Sequence, residues 1–167
     1  MQSFRLGIGH HPQGPSGGVG CVNEIASVLA GEKWSDNASC VDQFCREMAI
    51  AYNDSFDDDD ELNADEYTQG LPWRLVGTAS EKQGKARRKM LAEFYESYSD
   101  DYSPETHCDI LSSERIGSLA GRLIVTATTR PDARRCLEEM LALTEIKEPA
   151  CQDVCLVGAA GNEGPNI

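Results

Sequence analysis

Apolar residues recur every three to four positions in five stretches of this chain. Val22, Ile25, Ala26 and Leu29 stand at i, i+3, i+4 and i+7, which predicts a helix opening at Cys21. Gly31 stands where a glycine ends one. Val41, Phe44, Cys45, Met48, Ala49 and Tyr52 keep the same period behind Ser39 and Asp42, which are spaced as an acidic variant of a capping box. The link GEKWSDNA turns these two segments into a helical hairpin, with Trp34 covering one end of their interface. Ser80 is placed to cap a third helix through Tyr98, with Ala86, Met90 and Phe94 on its apolar face and Leu91, Tyr95 and Tyr98 alongside. Ile116, Leu119, Ala120, Leu123, Ile124 and Ala127 form a fourth pattern. Pro131 starts a fifth, with Ala133, Cys136, Leu137, Met140 and Leu141 inward and Pro149 closing it.

The remaining stretches lack that period. Residues 1–20 read as an irregular Gly/Pro-rich arm with a short strand at Phe4–Ile8. Residues 54–66 carry eight acids and no base, and read as an acidic loop. In LPWRLVGTAS, Pro72 breaks any helix and Gly77 marks a turn. CQDVCLVG reads as a short turn, and 158–167 as a flexible tail. The expected fold is mainly α: a compact bundle of about five helices forming a single domain over 21–157. The alternative is α+β, with the arm and the β-branched Leu123–Ala127 stretch pairing in a small sheet.

Charge narrows the function classes. The 167 residues hold 28 acids against 15 bases, a formal net charge of −13. Such a chain repels nucleic acid and anionic membranes, so neither is an expected partner, whereas a basic protein surface is. No apolar run approaches the ~20 residues of a membrane span. The first residues lack the apolar core of a secretory signal, which points to the cytoplasm. Seven cysteines, at 21, 40, 45, 108, 136, 151 and 155, are an odd number falling largely on helix faces, so they are expected to be reduced and buried.

The chemistry within reach starts at Cys21. A thiol at a helix N-terminus, behind a Gly-rich loop, has the position of an activated nucleophile. His10, His11 or His107 would serve as base, and Glu24 lies one turn on. The plain alternative is that Cys21 packs against Ile25 and Val28. GPSGGVGCVN lacks the Lys-Ser/Thr of a phosphate-binding loop. No metal or other cofactor is implied. Were there a metal, Cys21, Cys40 and Cys45 would be the thiols to hold it, but their spacing matches no compact zinc motif. An EF-hand register from Asp57 fails, with Leu62 in the glycine place and Thr68 in the glutamate place. Lys82, Lys85, Arg87, Arg88 and Lys89 are expected to dock against the acidic loop.

The stretch GCVNEIASVLAGEKWSDNASCV resembles a motif of an uncharacterised family of actinobacterial and phage proteins. The matching residues are Cys21, Glu24, Ala30, Gly31, Glu32, Trp34, Ser35, Asp36 and Cys40. The likeness resumes at Asn53-Asp54-Ser55, at Arg74–Thr78 and in the Arg87-Arg88 helix, and fades beyond about residue 100. It implies a mainly helical fold and carries no activity. It draws notice to the turn cluster Glu32, Trp34, Ser35 and Asp36, which either satisfies backbone N–H groups or forms a ligand-binding end of the hairpin.

The leading expectation is a non-enzymatic protein-binding or regulatory protein, phage-borne by the resemblance, that meets a basic partner through Asp57, Asp58, Asp59, Asp60 and Glu61. The alternatives are a small cysteine-dependent enzyme using Cys21 with a histidine base and Glu24, and a DNA-mimic inhibitor acting through the carboxylates of 54–66.

Overall fold

The computed structural model describes residues 2–98, 130–143 and 154–156. Helices dominate. In chain order the elements are β1 (Gln2–Leu6), a 3-10 turn (Gly14–Gly17), β2 (Val19–Gly20), α1 (Val22–Leu29), α2 (Gln43–Asn53), α3 (Asp59–Ala64), α4 (Glu66–Leu75), α5 (Glu81–Tyr98), α6 (Arg130–Ala142) and β3 (Val154–Leu156). No helix among the described residues is long and apolar enough to cross a membrane.

The periodic stretches fold as expected where they are described. α1 ends in a Schellman motif: Gly31 takes φ +75°, the Gly31 N–H donates to Val28 O at 3.0 Å and the Glu32 N–H to Ser27 O at 2.8 Å. Ala133, Cys136, Leu137, Met140 and Leu141 all face inward on α6. Val22, Phe44 and Phe94 are buried in one continuous core. α2 sits at its centre, packed against α1, α4, α5 and α6. The fourth apolar pattern, at 116–127, and the tail at 158–167 lie outside the described residues.

Several local expectations need correcting. The first is the N-terminal arm, which is part of the core. β1 is the middle strand of a small parallel sheet ordered β2-β1-β3, and Phe4 and Leu6 are fully buried. β3 replaces the turn expected within CQDVCLVG, with Gln2, Ser3 and Phe4 in register with Val154, Cys155 and Leu156. Three residues carry too little pattern to reveal a strand whose partner lies 152 positions away in sequence. The expected pairing of the arm with Leu123–Ala127 lies outside the described residues.

The acidic stretch is the second correction. Residues 59–64 form α3, with Asp58 as N-cap accepting the Glu61 N–H at 2.8 Å. Acids in a first helical turn complement its dipole, so the run that looked like a loop is a helix start. Pro72 lies inside α4 rather than ending it. Burial of Tyr67, Thr68, Leu71, Pro72 and Leu75 holds that helix despite the missing N–H. Asp42, not Ser39, caps α2, accepting the N–H groups of Phe44 and Cys45. On α5, Ala86 is exposed and its neighbour Arg87 is fully buried. Arg87 reaches Asp42 at 3.3 Å and donates to Thr78 O at 2.6 Å and Met140 O at 3.1 Å. A charge that joins two helix ends outcompetes an alanine for the inner position.

Candidate functional site

The strongest convergence of chemistry-bearing residues is at the start of α1. Cys21 occupies the N-cap and Glu24 the third helical position, where a glutamate reaches back to the cap N–H. Glu24 Oε2 accepts the Cys21 N–H at 2.8 Å and lies 2.9 Å from His11 Nδ1. Oε1 accepts the His11 N–H at 2.9 Å and lies 3.0 Å from His10 Nδ1. The Glu24 side chain is completely buried. An ionised carboxylate can only accept, so both imidazoles present Nδ1–H to it. Burial alone would raise the Glu24 pKa. The N–H groups of Cys21 and His11 and the His11 ring outweigh it and hold the carboxyl below its usual range.

Two close approaches shape this corner. A Cβ on Gly7 would stand 2.5 Å from His11 Nε2, so the imidazole lies directly on the Gly7 backbone. A Cβ on Gly20 would stand 2.5 Å from Trp34 Cη2. Trp34 in turn packs on Phe4, with ring centroids 5.6 Å apart, and donates its indole N–H to His11 O at 3.0 Å. His11 is therefore enclosed, whereas the side chain of His10 is 60% exposed and has Asp36 at 3.9 Å as its second acidic neighbour.

The expected grouping of Cys21, His10, His11 and Glu24 is thus present in space, with different chemistry. The histidines orient toward Glu24. Cys21 is buried, and that burial, reinforced by the Glu24 charge, pushes its thiol up to about 12 against the lowering effect of the Glu24 and Asn23 N–H groups. A thiol in that range is protonated at neutral pH, the opposite of an activated nucleophile. Burial likewise pushes Cys40 to about 11 and Cys45 and Cys136 to about 12. All four are free thiols. Among the described residues no group of three or more His, Cys, Asp or Glu side chains is placed to hold a metal ion. His107 lies outside them.

Two members of the turn cluster, Glu32 and Ser35, meet nearby backbone N–H groups. Glu32 accepts the N–H groups of Ser39 and Cys40 and the Ser39 hydroxyl, each at 2.8 Å. Ser35 donates its N–H to Ser27 Oγ at 3.2 Å and accepts the Asn37 N–H at 3.0 Å. Asp36 instead faces His10.

Of the acids at 57–61, four also make internal contacts. Asp58 caps α3, Asp59 accepts the Ile8 N–H at 3.0 Å, Asp60 pairs with Arg5, and Glu61 pairs with Arg130. Arg130 also lies over the Phe56 ring at 4.5 Å and donates to Ser55 O. The basic residues of α5 make other contacts: Arg87 with Asp42, Arg88 over the Phe44 ring at 5.3 Å, and Lys89 with Glu93. The expected docking of that cluster on the acidic stretch is replaced by these pairs.

The side chains that sequence reasoning passed over are Asn53 and Asn63. Asn63 Oδ1 accepts the Leu6 N–H at 3.1 Å and its amide donates to Leu6 O at 2.8 Å, a side-chain imitation of a strand partner. Asn53 donates to Gly7 O and Asp54 accepts the Gly9 N–H. The signal was there: Asn53 falls four positions after Ala49 on the buried stripe of α2, where a polar residue calls for a partner, as its amide N–H finds in Gly7 O. The N–H groups of Leu6, Ile8, Gly9, His11 and Cys21 are thus taken by the side chains of Asn63, Asp59, Asp54 and Glu24.

The site and fold define a mainly helical protein whose N-terminal segment is held down by buried acidic and amide side chains. Comparison with protein-family models, with curated proteins and with solved structures finds no match.

Proposed function

We propose that the protein is a non-enzymatic binding protein that engages a basic protein surface through the start of α3. The observation that carries this reading is the fixed presentation of exposed carboxylates there. Asp57, Asp58, Asp60 and Glu61 are exposed on or just before a capped helix, and no base occurs between Arg46 and Arg74. The helix is tied to β1 through the Asn63 amide and to α6 through the Glu61–Arg130 pair, so the charges are presented from a set geometry. Preorganised charge of one sign speeds and orients encounter with an opposite surface. The protonated, buried thiols support a non-catalytic role.

The test spares the acids that hold the fold. Asp57→Asn and Asp60→Asn together remove exposed charge and leave Asp58, Asp59 and Glu61 in place. Proteins retained by the tagged chain from cells that express it naturally should be lost from the double variant, with an unchanged circular dichroism spectrum. Identical retention by both forms would refute this role for the acidic face.

A further inference from the structure

A second patch, separate from the acidic face, gathers a buried hydroxyl and two guanidiniums with N–H groups to spare. Tyr67, in the first turn of α4, is 8% exposed, and its hydroxyl has no hydrogen-bond partner. A buried polar group left in that state is costly, and a native structure keeps few of them. Two guanidiniums lie over the Tyr67 ring: Arg134 of α6 at 4.3 Å from the centroid and Arg74 of α4 at 5.2 Å. Arg74 is exposed and makes no ion pair among the described residues. Arg134 gives its Nε–H to Glu138 at 3.2 Å and makes no other hydrogen bond among the described residues. The nearby carboxylate of Asp65 is already committed to the Tyr52 hydroxyl, the Thr68 hydroxyl and the Tyr67 N–H.

We propose that Tyr67, Arg74 and Arg134 form a binding site for a small oxyanion, a phosphoryl or carboxylate group carried by a ligand or partner. Guanidinium only donates, and its planar fork matches the oxygen spacing of both anion types. Contact with the aromatic ring holds the two side chains at fixed positions before any ligand arrives, which lowers the ordering cost of binding. An anion held by the two guanidiniums offers the Tyr67 hydroxyl hydrogen the acceptor it lacks. Glu138 competes for Arg134, so Arg74 carries most of the new charge pairing. The net charge of −13 opposes any anion, so binding is sensitive to competing salt.

The experiment is a titration of isotope-labelled protein with sodium phosphate and, separately, sodium acetate at constant ionic strength, following the arginine Nε–H resonances. Saturable shifts at Arg74 and Arg134 are expected, and whichever salt saturates at lower concentration names the source of the oxyanion. Arg74→Gln, at an exposed helix end, should weaken binding about tenfold while leaving the amide spectrum dispersed. Tyr67→Phe, which keeps the ring, should weaken it severalfold. Arg135→Gln, on the same helix as Arg134 and outside the patch, should bind as the parent does. Shifts that rise linearly and match sodium chloride, or parental affinity in the folded Arg74→Gln/Arg134→Gln double variant, would overturn the proposal.

Discussion

Two regions of the described molecule are each organised around a fully buried charge, and the charges have opposite sign. Glu24 gathers N–H groups from the N-terminal segment: two from backbone, at His11 and Cys21, and two from the rings of His10 and His11. Arg87 does the converse, giving its N–H groups to Thr78 O, to Met140 O in the last turn of α6, and to the Asp42 carboxylate that caps α2. Glu24 converts an irregular loop into a docked one. Arg87 joins helices that are regular without it. The difference teaches where each should fail: loss of Glu24 frees a segment, and loss of Arg87 undermines the packing of α2, α5 and α6.

Arg87→Leu should have the larger effect. It leaves the Asp42 carboxylate and two buried carbonyls short of a donor, a defect of about 3–5 kcal/mol for a broken buried pair. Urea unfolding is the measurement, and a loss under about 1 kcal/mol would mean that Arg87 is not a keystone. Adding Asp42→Ser should cost less than the sum of the two single changes, because each partner's loss already strands the other.

Glu24→Gln keeps the shape but turns one of the two acceptor oxygens into a donor facing N–H groups, at a cost of about 2–3 kcal/mol. It also tests a sign. The folded-state pKa of Glu24 lies below its ordinary value of 4.5, so the unfolded chain binds the proton more readily. That contribution is complete above the ordinary value and is lost as pH falls through the folded-state value. Glu32 shares the direction, with burial opposing and the Ser39 and Cys40 donors prevailing. The gap in stability between parent and Glu24→Gln should therefore narrow on acidification from pH 7 to pH 3. A constant gap would assign the loss to packing instead.

Gly20→Ala probes the same corner sterically. The added Cβ meets Trp34 Cη2 at 2.5 Å, and overpacking of that kind costs about 1–3 kcal/mol. Trp34 fluorescence should shift with it, since the ring must leave either Phe4 or the His11 carbonyl.

How much of this was legible depends on how local the cause is. The stop at Gly31 and the inner face of α6 follow from spacing within one helix, and both read directly from the residues. Cys21 and Glu24 are three apart at a helix start, so their meeting was visible as well. The role of the histidines was not, because nothing in Gly7-Ile8-Gly9-His10-His11 says that their Nδ1 atoms would turn to Glu24 rather than to the thiol. α3 and α4 were hidden for a physical reason. A run of acids and an internal proline lower helix propensity, and the burial of Leu62, Leu71 and Leu75 overrides both. On α5 the apolar period pointed to Ala86, and the buried Arg87 could be found only by knowing that Asp42 and Met140 O lie across from it.

The smallest expected effect sets two neighbours of one charge against each other. Asp59 accepts the Ile8 N–H in a partly buried setting, where an unmade hydrogen bond leaves a backbone donor stranded. Asp59→Ala should therefore lower stability by about 1 kcal/mol. Asp60 differs in that its side chain is 90% exposed and its partner Arg5 is 49% exposed, so water replaces either of them on loss of the other. Asp60→Ala should leave the melting temperature within about 2 °C of the parent. Thermal melts of the two variants side by side are the check. Equal losses would mean that the acidic helix start acts on stability through its summed charge, and a loss confined to Asp59→Ala would mean that geometry, one N–H at a time, is what holds the N-terminal segment to α3.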